Sequence, residues 1–350
     1  MKRRRILFFA KVPMNYALFR PVHELLARDA SLEFVFTGKY QGEKDPALVY
    51  RGFDLLGGRL LRNSFARFFK FDVYVSPDYR LSGRRCRTKV HMFHGFSIRN
   101  FAIQERARDF DKLFLIGPYM RRRFVESGIL LADDPRIEEV GMPKLDALVQ
   151  GKYDRTQVLQ ELGLDPSKKT VLFAPTWIQG GCLDVQGHEI VRALATLPYN
   201  VIVKLHDNSY DLRKQRCDWG KELPPLLGKD AVLVREPDSN PLLAAADLLI
   251  SDASSIANEY LLLDRPLIFF RVPDLEREWP STDRKTWGTE TGITIDRADE
   301  LPATIDRCFA DPSAKSATRR EAARDFFYHP GAAAPIAAAL LRRYALEEER

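Results

Sequence analysis

Short apolar runs, each followed by a longer amphipathic or polar stretch, recur along almost the whole chain. This alternation restricts the fold more than any single motif does. Residues 5–12 (RILFFAKV), 32–38, 73–78, 89–95 and 112–117 read as buried strands, with helical patterns at 19–30 and 118–128 and a closing segment at 137–143. Strands that are apolar at nearly every position must be covered on both faces, the condition of a parallel sheet flanked by helices. The pattern then restarts. A helical stretch within 151–169, ended by Gly163 and Pro166, leads into a strand at 170–177 and a helix at 188–197. Further runs follow at 200–206, 231–236, 241–246 and 247–252, then a helix over 254–263 and a strand at 266–270. A chain of 350 residues exceeds what one core usually serves. The expected architecture is α/β with two tandem domains, 1–150 and 151–350. The second ends in a helix-rich segment, 315–347, interrupted by Pro330 and Gly331, that can pack back on the first.

Composition narrows the function classes. With 45% hydrophobic and 29% charged residues the chain is globular, not disordered. Its charge is uneven: residues 1–150 carry 28 Lys and Arg against 17 Asp and Glu, and the remainder 26 against 31. A basic first half fits an anionic partner such as a phosphate-rich substrate or an anionic membrane surface; a solvated basic face is the plain alternative. Nucleic acid is not expected, since no recognised binding motif is present. Cys86, Cys182, Cys217 and Cys308 show neither metal-ligand spacing nor a disulfide framework, which fits a reducing, cytoplasmic compartment. The opening MKRRRILFFAKVP is basic, but its ILFFA core is too short for a secretory signal. No run approaches the roughly 18 apolar residues of a membrane span, so membrane contact is expected to be peripheral.

Ligands of open parallel sheets bind at the carboxyl ends of the strands, so the polar residues there carry the chemical reading. His91 and His94 stand three apart near the end of the fourth strand, where a shared metal is not expected. His94, at the turn before Gly95, is the candidate general base; a turn histidine bonded to backbone is the bland reading. Ala174-Pro-Thr176-Trp177 offers a hydroxyl for a phosphate or ribose and a ring that either packs or stacks on a base. Lys204 and His206 share a strand face, which suits a diphosphate. In SDASSIANEY (251–260), Asp252 and Ser254 can cap the following helix, and Ser255 lies in its first turn. Glu259 falls one residue beyond a strict capping box. An aspartate and two serines exceed what one cap needs, and free N–H groups there favour an anion. Asp109 and Asp111 have the spacing of a metal–nucleotide pair but precede their strand, and no phosphate loop of the Walker or G-x-G-x-x-G type is present. The stretch 62–70 (RNSFARFFK) mixes cations with aromatics, as on an anionic membrane or in a core helix with snorkelling cations.

The order of these stretches resembles the CDP-glycerol glycerophosphotransferase family, the enzymes that prime and polymerise teichoic acids and related capsules. The resemblance spans about 90–275 and is carried by VGMPKLDAL (140–148), APTW (174–177) and SDASSIANEYLLLDRPLIFF (251–270), with HGFSIRN (94–100) a weaker match. Asp207 stands where the family usually has proline, Ile178 where arginine is common, and the family's Pro-Gly-Pro element is missing from 280–295. The resemblance implies a GT-B fold, two facing Rossmann-like domains with the active site in the cleft between them. It implies His94 as catalytic base, His206 as its partner on the donor pyrophosphate, and Ser254 and Ser255 on donor phosphate with Asp252 shaping the loop. Thr176, Trp177, Lys204 and Glu259 join the donor-binding set, with Gly95, Pro143 and Lys144 as supporting loop.

The implied reaction moves an alditol phosphate, glycerol phosphate first among them, from a CDP-linked polyol to a hydroxyl of a lipid-linked or cell-surface glycan. CMP leaves, no metal or cofactor is obligatory, and the setting is the inner face of the cell membrane. A GT-B glycosyltransferase or nucleotide-sugar epimerase would share the fold and the phosphate site. A non-catalytic module binding anionic lipid or nucleotide is the alternative outside enzymology.

Overall fold

The computed structural model describes residues 3–40, 45–80, 85–95, 102–278 and 290–347. The expectations placed on 96–100 and 280–289 lie outside these residues. The chain divides into two compact units, one formed by residues up to 96, 100–146 and 324–350, the other by 147–323.

The first unit is built on a sheet of seven strands: β1 (Arg4–Ala10), β2 (Leu32–Gly38), β3 (Arg59–Leu60), β4 (Phe71–Ser76), β5 (Cys86–Met92), β6 (Lys112–Leu115) and β7 (Ile137–Glu139). Their order is β3-β2-β1-β4-β5-β6-β7, and each neighbouring pair is parallel. Ile6 to Phe9 are wholly buried, as an apolar run covered on both faces requires. The reversal of strand order falls between β1 and β4.

The second unit repeats the scheme with six strands: β8 (Thr170–Phe173), β9 (Asn200–Lys204), β10 (Ala231–Val234), β11 (Leu248–Ser251), β12 (Leu267–Phe270) and β13 (Ile293–Ile295). Their order is β10-β9-β8-β11-β12-β13, again parallel throughout, and the reversal lies between β8 and β11. Val171, Phe173, Val203, Ile250 and Ile268 face Leu183, Ile190 and Leu194 of helix Cys182–Ala195 in one core. The apolar run at 241–246 lies mostly in a helix, Asn240–Ala245, and the short strands β3 and β13 have no counterpart in the sequence reading.

The chain re-enters the first unit near residue 324 and ends there in helix Ala333–Leu346. Its seat is the VGMPKLDAL segment. Gly141 has φ +96°, and a Cβ on it would lie 2.1 Å from the Tyr328 carbonyl oxygen, so no other residue fits. The buried Asp146 carboxylate accepts the N–H groups of Ala333 (3.1 Å) and Ala334 (2.7 Å). It thereby satisfies two of the donors that a helix start leaves open, and places negative charge at the positive end of the helix dipole. Replacing Asp146 with Ala is expected to lower the unfolding free energy by about 1–3 kcal/mol through these stranded donors. Urea denaturation of D146A against D146N, which keeps one acceptor oxygen, measures the effect.

Candidate functional site

In the first unit the polar residues gather at the carboxyl ends of β1, β4 and β5. His94 follows β5, and its Nδ1 stands 2.9 Å from the Pro77 carbonyl oxygen beyond β4. A carbonyl only accepts, so Nδ1 carries the hydrogen and Nε2 keeps its lone pair. The ring's surface is exposed, yet protein packed around it disfavours the imidazolium and lowers the His94 pKa. The positive charges of Lys144 and Lys11 add to this, while the Pro77 bond and the Asp78 charge oppose it. His94 is thus a neutral base at neutral pH. Lys11, at the end of β1, pairs with Asp78 at 3.3 Å. Lys144 is buried, with 8% of its surface exposed, in the short turn Pro143–Leu145. Gly95 follows His94 in the chain.

His91 is a different kind of histidine. It is buried among the rings of Tyr79, Phe93 and Phe110, its Nδ1 donates to the Ser76 carbonyl at 2.8 Å, and burial pushes its pKa down to about 3. It belongs to the core.

In the second unit the candidates flank the reversal between β8 and β11, with His206 beyond β9. Asp252 does not cap its own helix. Its carboxylate, 3% exposed, accepts the N–H groups of Thr176 (2.7 Å) and Cys182 (2.9 Å). It therefore caps helix Cys182–Ala195 and ties the loop after β8 to the end of β11. Burial raises its pKa against the pull of these donors. The loop is tight: a Cβ on Gly181 would come within 2.6 Å of Thr176 Cγ2. Ser251 Oγ donates to the Ala174 carbonyl at 2.7 Å, a second tie between the strand ends. Ser254, expected as a cap, makes no side-chain cap bond to helix Ser255–Tyr260. Both serines are half-buried, and Thr176 and Glu259 are buried.

His206, two residues beyond β9, is in the mirror-image state of His94. Its Nδ1 accepts the Asn208 N–H at 3.0 Å, so in the neutral ring the hydrogen sits on Nε2. Trp177 packs beside it, the ring centroids 5.9 Å apart, with Lys214 Nζ 5.4 Å from the indole centroid. Lys204 Nζ folds back to donate to the Leu205 carbonyl at 2.9 Å. Sequence reasoning missed Lys214 and Asn208. They sit in a polar loop with no spacing signal, and only the folded turn brings them to His206. Among the described residues, no group of three His, Cys, Asp or Glu side chains is arranged to hold a metal ion.

Residues 88–312 match the sequence profile of the CDP-glycerol:poly(glycerophosphate) glycerophosphotransferases. The chain belongs to this family. Within the glycerophosphotransferases it is 26% identical over 279 residues to the teichoic acid glycerol-phosphate primase of Bacillus spizizenii, covering 71% of this chain and 67% of that protein. It is equally 26% identical, over 290 residues, to the teichoic acid ribitol-phosphate primase of the same organism, covering 74% and 70%. A variant of the wall teichoic acid polymerase TagF soaked with CDPG superposes with a TM-score of 0.71 at 16% identity, over 98% of this chain and 89% of that one. That likeness fixes the fold as GT-B, as the resemblance implied.

The Asp252 ties are expected to hold the whole strand-end loop. In D252A two buried N–H groups lose their acceptor, at about 1–3 kcal/mol each. The urea midpoint should fall accordingly, with D252N intermediate.

Proposed function

We propose that this glycerophosphotransferase transfers glycerol phosphate from CDP-glycerol to a hydroxyl of a lipid-linked or cell-surface glycan, releasing CMP. The observation that carries the reading is the opposite Nδ1 partners of the two histidines, a carbonyl at His94 and an N–H at His206. His94 presents a lone pair, which removes a proton; His206 presents an N–H, which donates to a phosphate oxygen.

In this scheme His94 Nε2 takes the proton from the acceptor hydroxyl. The hydroxyl oxygen attacks the phosphorus bonded to glycerol, the bridging P–O bond of the diphosphate breaks, and the electron pair leaves on CMP. Phosphoryl transfer needs chiefly positioning and charge stabilisation. His206 Nε2–H, the hydroxyls of Ser254 and Ser255 and the first N–H groups of the helix they open supply it on the donor side. Thr176 and Trp177 shape the floor, with Trp177 bracing His206. Asp252 acts through the loop it holds, and no cofactor is obligatory. Gly95, Pro143 and Lys144 support the base. Lys204 and Glu259 are the remaining donor-side candidates. Glycerol is favoured over ribitol by the family's own description, since the two primases are equally similar to this chain.

The basic first half of the chain supports action at the inner face of the cell membrane in wall or capsule synthesis. No helix among the described residues is long and apolar enough to cross a membrane.

The deciding experiment identifies the nucleotide released from CDP-glycerol and from nucleotide sugars in the presence of bacterial membranes. Acceptor-dependent CMP is expected; CDP or UDP would mean that a sugar alone moved. H94A should lose at least a thousandfold in turnover while its affinity for CDP-glycerol, measured by calorimetry, changes less than threefold. H206A should lose donor affinity as well. Because the His94 pKa is lowered, the acid limb of kcat/KM should lie below the ordinary histidine value of about 6.5. K144M, which removes a positive charge that lowers this pKa, should shift that limb to higher pH.

A further inference from the structure

The donor in the proposed reaction brings a diphosphate, and negative charge grows on its CMP side as the bridging P–O bond breaks. A cation held where that charge forms stabilises it. Several cations near the strand ends of the second unit already have other partners. Arg216 pairs with Asp184 and Arg271 with Asp296, each at 3.0 Å, and Arg235 lies 4.0 Å over the Tyr210 ring. Lys214 is matched differently. Its Nζ donates to the Asn208 amide oxygen at 2.7 Å and stands 5.4 Å from the Trp177 ring centroid, and both partners are neutral. The Asp211 carboxylate lies 3.7 Å away, but Arg213 already holds it through two hydrogen bonds of 2.8 Å. Two cations and one carboxylate leave this group a net positive charge, and 40% of the Lys214 side chain is exposed.

The ammonium is fixed from several sides. The Lys214 N–H donates to the Asp211 carbonyl at 2.8 Å. Gln215, next in the chain, is buried. Its Nε2 donates to the Trp177 carbonyl at 2.8 Å, and its Oε1 accepts the Trp219 indole N–H at 3.3 Å. Asn208, whose amide oxygen holds the ammonium, also gives its backbone N–H to His206 Nδ1. One turn therefore sets both the imidazole and the ammonium, and the Trp177 ring packs beside each.

We propose that Lys214 is a further donor-binding residue of this site: its ammonium meets the diphosphate of the CDP-linked donor beside His206 and stabilises the charge that CMP carries away. An ammonium held by an amide oxygen and an aromatic face keeps its charge for an anion, whereas one paired with a carboxylate does not. The inference rests on the reading of the donor as a CDP-alcohol, and needs neither the identity of the alcohol nor that of the acceptor.

The test is calorimetry of the full chain with CDP, alongside release of CMP from CDP-glycerol by the same preparations. K214Q and K214R both keep a hydrogen-bond donor for the Asn208 oxygen, and only K214R keeps the charge. K214Q should bind CDP about tenfold to a hundredfold more weakly, the worth of a hydrogen bond to a charged group, with K214R within about threefold of the wild type. CMP release by K214Q should fall further than its affinity for CDP-glycerol, because the charge on CMP grows during the reaction. A residue that only braced the turn would leave K214Q and K214R alike. K214M, close to lysine in shape and without its charge, decides the matter if K214Q is unstable in urea. Wild-type-like CDP binding by K214Q overturns the proposal. So does an equal loss in K214R, or no binding of CDP by the wild-type chain. If the wild type releases no CMP while K214Q still loses CDP, the glycerophosphate-transfer reading fails and the assignment of Lys214 stands.

Discussion

A parallel sheet covered on both faces has little room along its strands for polar side chains that lack a protein partner. Everything else in this protein follows from that exclusion. The hydroxyls, imidazoles and carboxylates that the chain carries in its apolar half are pushed to the strand ends, and the reversal of strand order opens a crevice there. In the second unit the reversal falls between β8 and β11, the two strands whose ends carry Thr176, Asp252 and Ser254. In the first it falls between β1 and β4, whose ends bring Lys11 and Asp78 towards His94.

Within those strand ends, structural and chemical tasks are divided among neighbouring residues. Ser251 and Asp252 are spent on backbone partners, and their burial leaves little for a ligand. Ser254 and Ser255, two and three residues later, are half-buried with no capping duty. The same division separates Gly141 and Asp146, which seat a helix, from Lys144 between them, whose charge reaches His94. The histidines are sorted by what their Nδ1 meets: a carbonyl at His94, an N–H at His206.

Most of the strands were legible in the sequence because buried parallel strands are continuous apolar runs, and the order of motifs was legible because strand ends are polar. β3 and β13 were not, since two or three residues at a sheet edge leave no period to read. The stretch at 241–246 shows the converse: an apolar run of strand length folds as a helix because alanine and leucine favour one. The partner of Asp252 was not legible either. A buried carboxylate can cap its own helix or another's, and only the packing of the β8 loop decides which. Lys214 and Asn208 stayed hidden because a turn after His206, and no spacing rule, brings them together.

The seat that Gly141 and Asp146 make for helix Ala333–Leu346 has a consequence for biosynthesis. The first unit is discontinuous: its sheet is complete by residue 139, but the helix that covers it emerges nearly two hundred residues later. On the ribosome the second unit can close on itself before the first is finished, reversing the usual N-terminal-first order. Until then the apolar groove awaiting Ala337, Leu341 and Tyr344 stays open, so the nascent chain carries an exposed sticky face through the synthesis of its whole second half.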